Sequence, residues 1–227
     1  MSALATDSAM PLRTLLARHR GQALRLRLLL LVMLVAAGLV ALGAGDYPIA
    51  PERVLATLFG VGEGREPFII LTLRLPRLVT ALAAGMAFGV AGAIFQSLAR
   101  NPLASPDIIG FDSGAALGAV AIVVIVGAGG YAVAGGAIVG GLVTAAIVLG
   151  LAWRRPLAPL RLVLVGIGVG IVCSALTSFL LSRGDIWEAS AAQAWLTGSL
   201  NARTWTQALV ACVGAALLVP LALLTKP

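Results

Sequence analysis

Few residues in this chain could do chemistry. Phe111-Asp112-Ser113-Gly114 sets an acid beside a hydroxyl within an otherwise apolar stretch. An activated serine needs a base within hydrogen-bond reach. The single histidine, His19, lies in a basic N-terminal arm, and the single lysine is Lys226. Cys173 and Cys212 each sit in an apolar run, where a free cysteine reads as a small packing residue rather than a disulfide or metal ligand. An intramembrane serine enzyme is therefore disfavoured, and no metal cluster or bound cofactor is expected. No G-x-x-x-x-G-K-[ST] phosphate loop occurs either.

What remains is recognition by charge and hydrogen bonds. Arg74 and Arg77 are three residues apart, on one face if a single helix carries both, and could pair with carboxylates. A polar break, Arg100-Asn101-Pro102-Leu103-Ala104-Ser105-Pro106-Asp107-Ile108-Ile109-Gly110, interrupts two apolar runs. Pro102 cannot continue a helix unstrained and biases Asn101 away from the α region. Ser105 is the expected N-cap, with Pro106 at the first helical position and Asp107 in the first turn, where the helix dipole favours an anion. Asp112, one turn deeper, reads as a partner for Arg100 or as a gate. Gln96 and Asn101 are expected to make interhelical hydrogen bonds. Ser174, Thr177 and Ser178 offer neutral hydroxyls on a later apolar run. The nearby Gly166-Ile167-Gly168-Val169-Gly170 is not a dinucleotide fingerprint, because no strand precedes it.

The elements that position these residues follow from composition. The chain of 227 residues is 60% hydrophobic and 11% charged, with a mean hydropathy of +1.03. Apolar runs of about twenty residues recur, the length that crosses a ~30 Å hydrocarbon core as a helix. The fold class is all-α, a polytopic transmembrane bundle. Six spans are expected, at 28–45, 76–98, 108–126, 131–152, 161–182 and 205–224, behind a basic arm, 1–27. Residues 46–73 read as a polar loop and 187–198 as an interfacial helix. The first run is too long for a signal peptide and is kept as a span. Gly85/Gly89, Gly136/Gly140 and Gly166/Gly170 are spaced for close helix packing, within the chain rather than between copies.

The net charge of +7 could suggest nucleic acid, but its distribution points to membrane topology. With the N-terminus inside, the inner side holds ten cations (Arg13, Arg18, Arg20, Arg25, Arg27, Arg100, Arg154, Arg155, Arg161 and Lys226) and the outer side six. That bias places the N-terminus in the cytoplasm and makes 100–110 a cytoplasmic connection.

Several motifs occur together over Arg74–Ala119: Arg74-Leu75-Pro76-Arg77, a Gly/Ala-rich helix ending in Gln96, the stretch 101–110, and Ser113-Gly114-Ala115-Ala116-Leu117-Gly118-Ala119. With Trp195-Leu196-Thr197-Gly198-Ser199-Leu200 and Trp205, this pattern resembles the FecCD-type permeases, the membrane subunits of ABC importers for iron-siderophores, haem and vitamin B12. The wording at 101–111 is most similar to permeases for ferric siderophores of the enterobactin type. The resemblance implies a ten-helix fold, a homo- or heterodimer with a second permease subunit, and a path along the dimer interface. It further implies two cytoplasmic ATPase subunits that use ATP, a periplasmic or lipid-anchored substrate-binding protein, and a bacterial cytoplasmic membrane as location.

By the same resemblance Arg74 and Arg77 face acidic residues of the docked binding protein. Arg100, Asn101, Pro102, Ser105, Pro106, Asp107 and Gly110 belong to a permease signature, and Ser174, Thr177 and Ser178 help line the path; Asp112 is a candidate gate from its position alone. Family chains are roughly half as long again, so this sequence is expected to be a fragment. The alternative is a truncated subunit that assembles without transporting.

Overall fold

A computed structural model describes residues 12–103, 105–153 and 159–224. Eight α-helices follow one another: α1 (Leu12–Gly43), α2 (Pro51–Leu58), α3 (Leu75–Ala99), α4 (Phe111–Ala121), α5 (Tyr131–Ala152), α6 (Pro159–Arg183), α7 (Ile186–Thr197) and α8 (Trp205–Leu224). Two π-helical segments, Phe68–Arg74 and Ile122–Val126, and one 3₁₀ turn, Pro106–Ile109, complete the order. Among the described residues five stretches are long and apolar enough to cross a membrane: Gly21–Gly43, Phe68–Ala99, Tyr131–Ala152, Leu160–Arg183 and Trp205–Ala222. Their apolar surface faces outward. Leu28 to Val35 are each more than half exposed, which suits a helix that is apolar all round and solvated by lipid.

Five of the six expected positions carry one of these membrane-length helices, and α5 has the bounds 131–152. The third does not. A 3₁₀ turn ends at Gly110 (φ 76°), and the helix proper starts at Phe111 and runs to Val126. Sixteen residues rise about 24 Å, short of a full hydrocarbon core. The arm also differs from expectation, because helix α1 already begins at Leu12. Arginine is a good helix former, so a charge boundary need not be a helix boundary. Residues 1–11, which include Asp7, and Arg154, Arg155 and Lys226 of the charge count lie outside the described residues.

The expected polar loop at 46–73 is largely helical. Pro51 starts α2 at a position where its missing N–H costs nothing, and Glu52 sits in the first turn. The second span begins earlier than expected, at Phe68. Pro76 brings no N–H and a bulky ring into that helix, and the turn before it is wound wide as a π-helix. Where an interfacial helix is expected, at 187–198, the structure has helix α7, and Glu188 accepts from the Asp185 N–H at 3.2 Å in a capping box.

The chain divides into two compact units, residues 1–79 and 80–227. In the first, Leu42, Ile49, Val54 and Ile70 form a core flanked by Leu39, Ile69, Leu71, Leu75 and Leu78. In the second, Ile109, Val148, Ala152 and Leu162 form a core under Phe95, Phe111, Val165 and Val169.

Candidate functional site

The break after α3 is a sequence of locally determined turns. Arg100 adopts φ 48°, the left-handed region usually left to glycine. Its N–H donates to the Ser97 carbonyl at 3.3 Å, and the Asn101 N–H donates to the Gln96 carbonyl at 3.1 Å. This pair of bonds is a Schellman closure with arginine in glycine's place. Asn101 Oδ1 then accepts from the Leu103 N–H at 2.9 Å, bridging Pro102. The expected interhelical role of Gln96 and Asn101 is not what the structure shows. Gln96 contributes its backbone carbonyl and Asn101 closes its own turn.

Ser105 occupies the N-cap position, with extended backbone, and Pro106 and Asp107 follow as expected. The element they open is a 3₁₀ turn rather than a long helix. The Ser105 hydroxyl donates to Asp107 Oδ2 at 3.1 Å instead of bonding a backbone N–H. The partner of Asp107 is Asp112, brought to it by the bend at Gly110. A hydrogen bond with Asp112, and secondarily the Ser105 hydroxyl, holds the Asp107 carboxyl below its ordinary range. The expected Asp112–Arg100 pair does not form. Among the described residues the ion pairs are those of Arg53.

Gly110 explains the bend and its seat. A Cβ there would stand 2.6 Å from the Gly166 carbonyl and 2.8 Å from the Gly170 Cα. The signature stretch thus lies backbone to backbone against α6. Farther along α4, Gly118 meets the Gly136 carbonyl and Gly140, and Gly114 meets Thr144. Two of the three expected small-residue pairs therefore pack within the chain. The third, Gly85/Gly89, meets nothing within 4 Å. Phe95 and Phe111 close the junction from the side, with ring centroids 5.7 Å apart.

The three α6 hydroxyls expected to line a path divide between two faces. Thr177 is buried and donates back to the Cys173 carbonyl at 2.9 Å, while Thr144 and Cys173 lie 3.8 Å apart. Ser174 and Ser178 are exposed. Ser174 donates to the Ser113 hydroxyl at 3.3 Å, and Ser178 donates to the Ser174 carbonyl at 3.0 Å. Among the described residues, the side chain hydrogen-bonded to Ser113 is that of Ser174, a hydroxyl and not a base. A cleft of about 700 Å³ opens beside Thr144 and Cys173, between α4, α5 and α6. Gly114, Gly118, Val139, Val143, Cys173 and Leu176 are among its lining residues, and no charged side chain lines it. Such walls suit apolar groups and offer nothing to a charged chelate.

Arg74 and Arg77 behave differently from each other. Arg77 is exposed. Arg74 donates from Nη1 to the part-buried Leu42 carbonyl and from Nη2 to the exposed Tyr47 carbonyl, both at 2.7 Å. Nearby, Arg53 bridges two carboxylates, with Nε 2.6 Å from Glu66 and Nη2 3.3 Å from Glu63. The hydrogen bond to Glu66, then that to Glu63, raises the Arg53 pKa above its ordinary value. Sequence reading missed the Arg53 bridge and the Asp107–Asp112 pair. The first was signalled only by an arginine ten residues before one glutamate, and the second depends on a bend that no spacing rule contains.

Residues 29–227 match the model of the FecCD transport family. The ferric enterobactin transport system permease protein FepG of Escherichia coli K12 is 41% identical over 180 residues, which is 79% of this chain and 54% of that protein. The vitamin B12 import system permease protein BtuC of Salmonella newport is 36% identical over 185 residues, 80% of this chain and 53% of its own. A solved structure of an inward-facing ABC transporter, assigned in its description to the metal-chelate type, superposes with a TM-score of 0.72 at 28% identity. It covers 85% of this chain and 59% of the other. The chain spans about half the length of the curated relatives it matches. With several apolar membrane-length helices and a family match over nearly its whole length, this is a multi-pass membrane protein that belongs to the FecCD transport family.

Proposed function

We propose that this chain is part of the permease subunit of an ABC importer that carries a ferric siderophore, of the catecholate class, into the cytoplasm. The observation that carries this reading is the 41% identity to a ferric enterobactin permease in a chain whose signature turn is seated on the α6 glycines. The chain would do no covalent chemistry. Partner ATPases would drive it and a substrate-binding protein would feed it, while the helix bundles shift between inward- and outward-open states. Arg77 is the exposed arginine suited to an acidic docking partner, and Ser174 and Ser178, exposed hydroxyls of α6, would help line a path.

The test is uptake of ⁵⁵Fe-labelled catecholate, hydroxamate and citrate chelates, and of labelled cobalamin. The host lacks its own permeases and expresses this protein with its ATPase and binding protein. Catecholate-selective iron uptake supports the reading. Cobalamin uptake without iron uptake overturns it in favour of the vitamin B12 alternative, which the similarity to BtuC keeps in view. In the same system Arg77→Glu weakens association with the binding protein, and more so at low salt, because exposed charge pairs are screened. Unchanged affinity at low salt removes Arg77 from the docking surface.

A further inference from the structure

Helix α1 ends at Gly43, and a helix end leaves its last four carbonyls without intrahelical donors. The chain that follows supplies two of the missing donors. The Ala44 N–H bonds the Val40 carbonyl at 2.7 Å, and the Ile49 N–H bonds the Gly43 carbonyl at 2.9 Å. The Leu42 carbonyl, on a residue only 3% exposed, takes its donor from Arg74, thirty-two positions later. The other arm of the same guanidinium holds the Tyr47 carbonyl in the turn that leads to α2.

Gly45 completes the arrangement. Its φ of 146° is one that side chains avoid, and a Cβ there would lie 2.7 Å from Arg74 Nη2. A cation at this place also meets the negative end of the α1 dipole. The planar fork of arginine reaches two carbonyls at once, which a lysine ammonium on one stem does less well. The second unit repeats the device: Arg161 Nη2 donates to the Leu151 carbonyl at 2.9 Å, in the last turn of α5.

We propose that the Arg74 side chain caps the C-terminus of the first helix, reaching it from the start of the second span of the same chain. It fastens the exit of α1 and the turn 44–49 to the π-helical segment that carries it. Both of its Nη groups hold backbone carbonyls, whereas Arg77, one turn on, is exposed.

Amide hydrogen exchange on the protein in lipid nanodiscs tests this without any partner or substrate. The reporters are the Ala44 and Ile49 N–H groups, whose bonds depend on the same turn. Arg74→Gln is expected to speed their exchange by about tenfold or more, the change that follows when a partly buried charged hydrogen bond is lost. Arg74→Lys should restore part of the protection, and Arg77→Gln should leave both amides within about twofold of the parent. If Arg74→Gln does not fold, Arg74→Lys against Arg77→Gln decides the matter. Equal protection in the Arg74 and Arg77 variants overturns the proposal, as does an Arg74→Gln protein indistinguishable from the parent. Either result is independent of whether the importer carries a siderophore.

Discussion

The two units are held together by opposite means. In residues 1–79 the chain is fastened by side chains that reach out: Arg74 to two carbonyls, Arg53 to two carboxylates, and Thr57 to the Arg53 carbonyl at 2.8 Å. In residues 80–227 the contact around α4 is made where side chains are missing, at Gly110, Gly114, Gly118, Gly140, Gly166 and Gly170. Lipid tails are as apolar as leucine and provide little hydrophobic drive between helices, so a membrane-embedded contact gains from close backbone approach. Near a helix exit the unpaired backbone groups are the problem, and long polar side chains solve it. The units should therefore fail differently. One is broken by removing atoms and the other by adding them.

The sharpest break is expected at Gly118. Gly118→Ala drives a methyl onto the Gly136 carbonyl and should cost about 3 kcal/mol or more, seen as a fall in the thermal midpoint of the protein in detergent. A midpoint equal to that of the parent would mean that α4 and α5 are not in backbone contact. In the other unit, Ile70→Ala empties a position with no exposed surface and should cost about 2 kcal/mol in the same assay. A gain in stability there would place the core of that unit elsewhere. The smallest effect is expected at Gly85→Ala, within about 0.5 kcal/mol, since a Cβ there meets nothing within this chain. A large loss at Gly85 would reveal a neighbour of α3 that lies outside these residues.

Much of the bundle is legible in the order of residues, because apolar length and glycine punctuation are local signals. Tyr131–Ala152 follows from an apolar run bounded by Gly127-Ala128-Gly129-Gly130 and Trp153. The helix Ile186–Thr197 follows from Asp185 and Glu188 at cap spacing. The signature turn is legible as a turn, through Pro102, Ser105 and Pro106. Its bend at Gly110 is not, because the reason for it lies on α6, more than fifty residues away. The same holds for Arg74. Its spacing from Arg77 suggests one shared face and one shared role, and nothing local says that its acceptors are Leu42 and Tyr47. Charge counting treats Arg74 and Arg161 as markers of membrane side. The structure finds each at work on a carbonyl in the last turn of a helix.

The sixteen-residue helix Phe111–Val126 has a bearing on how the protein meets bilayers of different thickness. At about 24 Å it undershoots the ~30 Å of hydrocarbon that a lipid-facing helix must match. The thirty-two residues from Phe68 to Ala99 overshoot it, at about 48 Å if straight. Thickening the bilayer therefore acts on the two in opposite senses. It gives the long helix less reason to tilt, and it leaves the short one deeper below the headgroups, dependent on the protein around it for solvation. Hydrophobic mismatch would be absorbed at the long helix, and the glycine-clad α4 could keep its polar first turn, with Asp112 and Ser113, at a depth set by protein rather than by lipid.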